Sequence, residues 1–254
     1  MTNLFHMDGK RVLVTGGATG LGFAMSEALA DHGAEVIIAA RRKHLIDNAV
    51  SKICESGGRA KGVVFDVSEL ENLEANFDEL FADQPIDVLI NNAGISGDKM
   101  LLGETFEGWD ATFNTNLKAV FALSTTVAKQ MIKRESGGCI INIASILGFT
   151  SQKGTATYAA TKAAMIHLTK SMAVEWARYG IRVNAIAPGY FRTAIADDFL
   201  DSTVGETMIK RAPMRRTGEP EELAGAALLL ASDAGAYMTG STITVDGGLA
   251  ISQI

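Results

Sequence analysis

Seven short, mostly apolar runs recur along the chain, with longer helix-like stretches between them. The runs are Arg11 to Val14, Glu35 to Ala39, Lys61 to Phe65, Asp87 to Ile90, Cys139 to Ala144, Arg182 to Ala187 and Thr242 to Val245. Each reads as a strand. A helix from about Phe23 to His32 is placed to end at Gly33, and Ser68-Glu69-Leu70-Glu71 has the form of a capping box opening another. A long helix spans about Trp109 to Lys133, one more carries Thr157 to Ala164, and another resumes at Pro220-Glu221-Glu222, where proline suits a first turn. Strands that alternate with helices in this way predict an α/β fold: a doubly wound parallel sheet of seven strands with helices on both faces. The stretch from Ala194 to Arg216 mixes Met208 and Met214 with charges, and residues 190–216 read as a mobile lid rather than a core element. No repeat or linker divides residues 1–254, so one domain is expected.

Composition narrows the class. Of 254 residues 47% are hydrophobic and 20% charged, and 26 glycines against 4 prolines suit many tight strand-to-helix turns. The formal net charge of −6 argues against nucleic acid as the main partner. No apolar run is long enough to cross a bilayer, and the first residues lack the layout of a signal peptide, so no membrane partner is expected. Cys54 and Cys139 lie far apart and form no metal or redox motif. A cytoplasmic protein without a metal site is the expectation.

The candidate chemistry collects at strand ends, the edge where open α/β sheets bind ligands. The first strand runs into Thr15-Gly16-Gly17-Ala18-Thr19-Gly20-Leu21-Gly22 and then a helix. Glycines let the backbone approach a pyrophosphate, and the free N–H groups of the helix start face it. After the second strand, Arg41, Arg42 and Lys43 stand where a dinucleotide fold holds the adenosine ribose, and no acid is present to repel a 2′-phosphate. This favours NADP(H) over NAD(H); the alternative is a solvated charge run. Asp66, followed by Val67, can accept from an adenine amino group or stabilise a turn, and Asn91-Asn92-Ala93-Gly94 is either a close approach to a flat ligand or a simple turn. Asn116 inside a helix asks for a kink or a buried polar network. Ser145 ends the fifth strand without the elbow of a serine hydrolase. Tyr158 and Lys162 stand at i, i+4 on one helical face, where an ammonium would lower the phenol pKa and ready it for proton transfer.

Together the glycine-rich turn, Asn91-Asn92-Ala93-Gly94, Asn116, Ser145, Tyr158, Lys162 and Pro188-Gly189 resemble the single-domain short-chain dehydrogenases/reductases over nearly the whole chain. The resemblance implies a Rossmann-type dehydrogenase that transfers hydride between NADP(H) and a small ketone or secondary alcohol. It places Gly16, Ala18, Thr19, Gly20, Leu21 and Gly22 at the phosphates, with Thr19 adding no cation. Asp66 and Val67 fall at the adenine, Asn92, Ala93 and Gly94 along the cofactor, and Pro188, Gly189, Phe191 and Thr193 by the nicotinamide and phosphates. Tyr158 is then the proton donor, Ser145 the hydrogen-bond partner of the substrate oxygen, and Lys162 the ribose ligand that lowers the phenol pKa. Asn116 fixes a relay water. Leu147, Gln152, Tyr190, Phe191, Ile195 and Phe199 are expected around the substrate. A homotetramer is also implied. The 3-oxoacyl carrier-protein reductases look similar, but Ser136 and Tyr179 stand near where their carrier-docking arginines are expected, with Arg134 and Arg178 close by. The alternative in another class is a catalytically silent NADP(H)-sensing binding protein, which requires a broken site.

Overall fold

The computed structural model describes residues 3–69, 71, 73–81, 85–97, 99–193 and 197–252. Its strands are β1 (Arg11–Thr15), β2 (Glu35–Ala40), β3 (Arg59–Val64), β4 (Val88–Asn91), β5 (Gly138–Ile143), β6 (Ile181–Pro188) and β7 (Thr242–Val245). They form one parallel sheet in the order β3-β2-β1-β4-β5-β6-β7. The chain winds outward from β1 in one direction, then restarts at β4 on the other side of β1. This reversal leaves a crevice above the ends of β1 and β4.

Alternation along β1 shows why helices cover both faces. Val12 and Val14 pack with Met25 and Leu29 of α1 (Gly20–Asp31), Ile46 and Ile53 of α2 (Lys43–Glu55), and Leu223 of α9 (Pro220–Ala231). Leu13 points the other way, into a cluster with Phe77 and Phe81 of α3 (Leu73–Phe81), Leu123 and Val127 of α5 (Ala119–Lys133), and Met172 of α6 (Ala156–Trp176). Successive side chains of a strand face opposite sides, so a central strand needs two apolar covers. The result is one Rossmann-like domain. Among the described residues no helix is long and apolar enough to cross a membrane.

Two local expectations are corrected. Helix α1 starts at Gly20, inside the glycine-rich stretch, because Thr19 supplies the extended residue before the first turn and glycines at its start are tolerated there. The long helix is α4 (Phe106–Phe113), a wider π turn (Asn114–Lys118) and α5, so its start lies earlier than Trp109 and its interior is distorted at Asn116. Thr105 sets that start by accepting the N–H of Gly108. Ser68 donates from both its N–H and its Oγ to Asp66 Oδ1, and α3 spans Leu73–Phe81; the expected capping box includes Leu70, which lies outside the described residues. The 190–216 stretch contains α7 (Asp197–Leu200) and α8 (Thr203–Arg211), the latter capped by Ser202 accepting from the Gly205 N–H.

Candidate active site

The glycine turn and the segment after β4 are bolted together. Thr15 Oγ1 accepts the N–H groups of Asn92 and Ala93, each at 3.0 Å, and donates to the Ile90 carbonyl. Asn92 Nδ2 donates to the carbonyls of Thr15 and Gly16 at 3.0 and 3.2 Å. Gly16 has φ +65° and Gly20 φ +54°, conformations that favour glycine. A Cβ on Gly22 would run into the Gly16 carbonyl and the Asn92 amide. The chain can therefore turn tightly from β1 into α1. The start of α1 has no side-chain cap and no acidic residue in its first turn, which leaves its N–H groups and positive dipole end for an anion. A Cβ on Gly20 would lie 3.4 Å from Thr193 Cγ2, so Thr193 overhangs the same turn. These features fit a pyrophosphate. Asn92, expected along a cofactor, spends its side chain bracing the turn.

Past β2, Lys43 is paired with Asp47 at 2.7 Å, and Arg41 lies 4.0 Å from Asp66 Oδ2 with a side chain 70% exposed. Arg42 is exposed, with no ion-pair partner among the described residues. Two guanidinium groups thus remain available at this edge, whereas Lys43 is taken. Asp66 Oδ1 accepts from Ser68 while its Oδ2 faces Arg41, and Val67 packs partly into the core.

On the other side of the crevice four expected residues converge. Asn116 is fully buried in the π turn; its Oδ1 accepts from the Ile95 N–H and its Nδ2 donates to the Ile95 carbonyl, both at 2.8 Å. The side chain thereby clamps the segment after β4 as a neighbouring strand would. Gly94 lies in this clamp, since a Cβ there would sit 3.1 Å from Asn116 Oδ1 and 3.8 Å from Lys162 Nζ. Lys162 is 4% exposed and donates to the Ile143 carbonyl at 2.7 Å. Ser145, just past β5, accepts from the Leu147 N–H at 3.1 Å, and its hydroxyl stands near enough to Tyr158 to favour the phenolate. Gly148 allows this short turn to lie against α6, where a Cβ would meet Lys162 backbone atoms at 3.1 Å.

The electrostatics differ from the expectation for an i, i+4 pair. Burial pushes the Tyr158 pKa up, offset in part by the Ser145 hydrogen bond. Lys162 stands with Nζ 5.5 Å from the phenol ring centre, and its own pKa falls to about 8 through burial. Nearby, the Tyr190 hydroxyl donates to Gln152 Oε1, and burial raises the Tyr190 pKa to about 12, with Tyr158 adding to the rise. Leu147 is half-buried beside Ser145. Phe191 departs from its expected place: its ring is 5% exposed, lies in the core cluster with Leu223, and packs where a Cβ on Gly218 would be. Gly189 lies at the end of β6 against Asp246. Ile195 and the Phe199 side chain lie outside the described residues.

Sequence reasoning missed a buried polar chain beneath the site. Asn91 Nδ2 donates to Ser124 Oγ at 2.9 Å and to Asn142 Oδ1 at 2.8 Å; Asn142 Nδ2 donates to Thr169 Oγ1 at 2.9 Å, which donates to the Met165 carbonyl at 2.8 Å. It links α5, β4, β5 and α6 with each named group satisfied. The available signal was an asparagine interrupting the apolar run of β5.

Comparison with known proteins adds a family context. A family model described as Enoyl-(Acyl carrier protein) reductase matches residues 16–250. The chain is 39% identical to the gluconate 5-dehydrogenase of Gluconobacter oxydans over 98% of each chain. It is also 39% identical to the 3-oxoacyl-acyl-carrier-protein reductase of Thermotoga maritima, over 97% of this chain and 100% of that one. Among solved structures, a gluconate 5-dehydrogenase from Burkholderia cenocepacia in complex with NADP and tartrate superposes with a TM-score of 0.93, at 39% identity, covering 99% of this chain and 98% of that one.

Proposed function

The chain belongs to the short-chain dehydrogenase/reductase family of oxidoreductases, and on that premise we propose that it interconverts a ketone and a secondary alcohol with NADP(H). The observation that carries the reading is the meeting of Tyr158, Ser145, Lys162 and Asn116 at the strand ends beside an open glycine-lined turn. When bound, the reduced nicotinamide supplies the hydride that ends on the carbonyl carbon. The residues of the chain manage the oxygen and the proton. Ser145 donates to the substrate oxygen and keeps it against the Tyr158 hydroxyl, which gives its proton as the alkoxide forms. Burial keeps Tyr158 protonated, the state a reductase needs in its donor. Lys162, with a pKa of about 8, holds or returns a proton near neutral pH, and Asn116 fixes the loop that carries Gly94 beside it. Alcohol oxidation reverses these steps.

NADP(H) is favoured over NAD(H) because Arg41 and Arg42 present cations just past β2, and Asp66, the carboxylate near them, lies 4.0 Å from Arg41 as its ion-pair partner. The glycine turn holds the pyrophosphate and Thr193 closes over it. For substrate, a polyhydroxylated keto acid of the gluconate type is favoured over a carrier-protein thioester. The relatives named for gluconate support this, as does Arg134, whose guanidinium turns inward to the Ile86 carbonyl at 3.0 Å and is not free to dock a carrier. Gln152 and Tyr190 supply polar groups beside the reacting oxygen, and residues 190–216 serve as the lid, tied by Arg192 to Asp201 and by Arg216 to Glu222. A homotetramer in the cytoplasm completes the reading. It is supported by the exposed apolar groove of Phe113, Leu117, Phe121 and Leu168 and by two free cysteines.

The test is a panel of keto acids, simple ketones and acyl thioesters followed by absorbance with NADPH and NADH. Turnover of a keto acid with NADPH is expected. Saturable NADPH binding without oxidation against the whole panel overturns the reading in favour of a silent binding protein.

A further inference from the structure

We infer that Glu104 is a positioning residue for Tyr158, acting through Thr157 on the first turn of α6; this rests on the reading of Tyr158 as proton donor. Glu104 Oε2 accepts from Thr157 Oγ1 at 2.8 Å, across 53 residues of sequence, and its Oε1 accepts from the Thr105 N–H at 3.0 Å. Thr157 is 4% exposed and immediately precedes Tyr158. Space for the carboxylate depends on Gly108, where a Cβ would come 2.5 Å from Oε1. The bond is part-buried, with Thr157 on its inner side.

The helix it reaches lacks its own restraint. Helix α6 has no acidic residue in its first turn, and the Thr155 side chain makes no capping bond to it, donating instead to the Gln152 carbonyl. Uncapped first turns leave N–H groups unpaired and favour a nearby negative charge. Glu104 brings that charge from outside the helix. The same loop is clamped at its other end by Asn116 on Ile95, so residues 95 and 104 pin it to the π turn and to α6. The first turn of α6, and the phenol it carries, is thereby held in register with Ser145. Glu104 touches neither hydroxyl and moves no proton.

The test is a double-mutant cycle on the full-length protein with NADPH and its best keto substrate, using Glu104→Ala, Thr157→Val and both together. Each single change is expected to lower kcat by about tenfold while the Kd for NADPH, read by fluorescence, stays within about twofold. The double variant is expected to be no worse than the poorer single one, and Thr157→Ser to return kcat to within about twofold of wild type. Unchanged kcat in either single variant, effects that multiply, or failure of serine to rescue overturns the inference. If the Ala or Val variants do not fold, Glu104→Gln decides: a kcat reduced about threefold supports the tether and wild-type kcat overturns it. Tyr158→Phe is run in parallel. Normal turnover there overturns the reading of Tyr158 itself, whereas loss of turnover there with independent effects at Glu104 and Thr157 overturns only the positioning role.

Discussion

Replacing Lys162 with methionine separates what the site needs from what the fold prefers. Lys162 is 4% exposed, donates to the Ile143 carbonyl at 2.7 Å, and has its pKa lowered by burial from 10.5 to about 8. A lowering of that size corresponds to about 3 kcal/mol held against the folded state while the amine is charged. The folded-state pKa of this base lies below its unfolded value. The unfolded chain therefore binds more protons between about pH 8 and pH 10.5, and stability rises with pH across that window. Methionine does not titrate. Relative to Lys162→Met, the wild-type unfolding free energy should therefore climb by about 2 to 3 kcal/mol between about pH 7 and about pH 10. Near neutral pH the variant sheds the burial penalty but leaves the Ile143 carbonyl without its donor, a loss of about 1 to 3 kcal/mol, so the two stabilities should lie within about 2 kcal/mol. Urea denaturation of both proteins across this pH range measures the difference directly, and other titrating groups largely cancel. Parallel curves would refute the assignment of a depressed, penalised ammonium, as would a difference that falls with pH. Turnover should be lost in the variant whatever its stability.

The cradle gives a second test: Gly22→Ala pushes a Cβ into the Gly16 carbonyl and the Asn92 amide and should cost about 1 to 3 kcal/mol together with at least about tenfold in NADPH affinity. Thermal denaturation and fluorescence titration check it, and an unchanged Tm contradicts the packing argument. Asn142→Leu removes the centre of the buried polar chain, taking one hydrogen-bond partner each from Asn91 and Thr169, and should destabilise by about 2 to 4 kcal/mol in urea unfolding. A loss under about 0.5 kcal/mol would mean the chain contributes little. Arg42→Ala should raise the Kd for NADPH by about tenfold and that for NADH by less than about twofold; equal changes for both cofactors would remove the 2′-phosphate role.

The sheet was legible because its signal is local. Apolar runs such as Cys139 to Ala144 can only be strands between helices, and the observed β5, Gly138–Ile143, is displaced by one residue at each end. The π turn was half legible: a poor helix former at Asn116 marked the place, but its use as a clamp on Ile95 depends on a residue 21 positions away. The same limit applies to Asn92, whose side chain braces the carbonyls of Thr15 and Gly16, residues 77 and 76 positions away. Phe191 looked apolar and site-facing, yet the missing side chain at Gly218 opened a place for its ring in the core. The pKa of Tyr158 was misjudged from spacing alone. Desolvation depends on everything packed around a group, and for a phenol at this depth it outweighs a lysine whose ammonium is turned to the Ile143 carbonyl. Glu104 gave no signal at all, because nothing in its local sequence points to Thr157.

On the proposed function the Tyr158 hydroxyl delivers the proton while other residues hold cofactor and substrate. The most direct test of this role is single-turnover reduction of a keto substrate by protein loaded with NADPH, wild type against Tyr158→Phe, with the Kd for NADPH measured on both. The expected result is a Kd unchanged within about twofold and a rate of NADPH oxidation reduced by at least about a hundredfold in the variant. A Tyr158→Phe protein that oxidises bound NADPH at near the wild-type rate would contradict it.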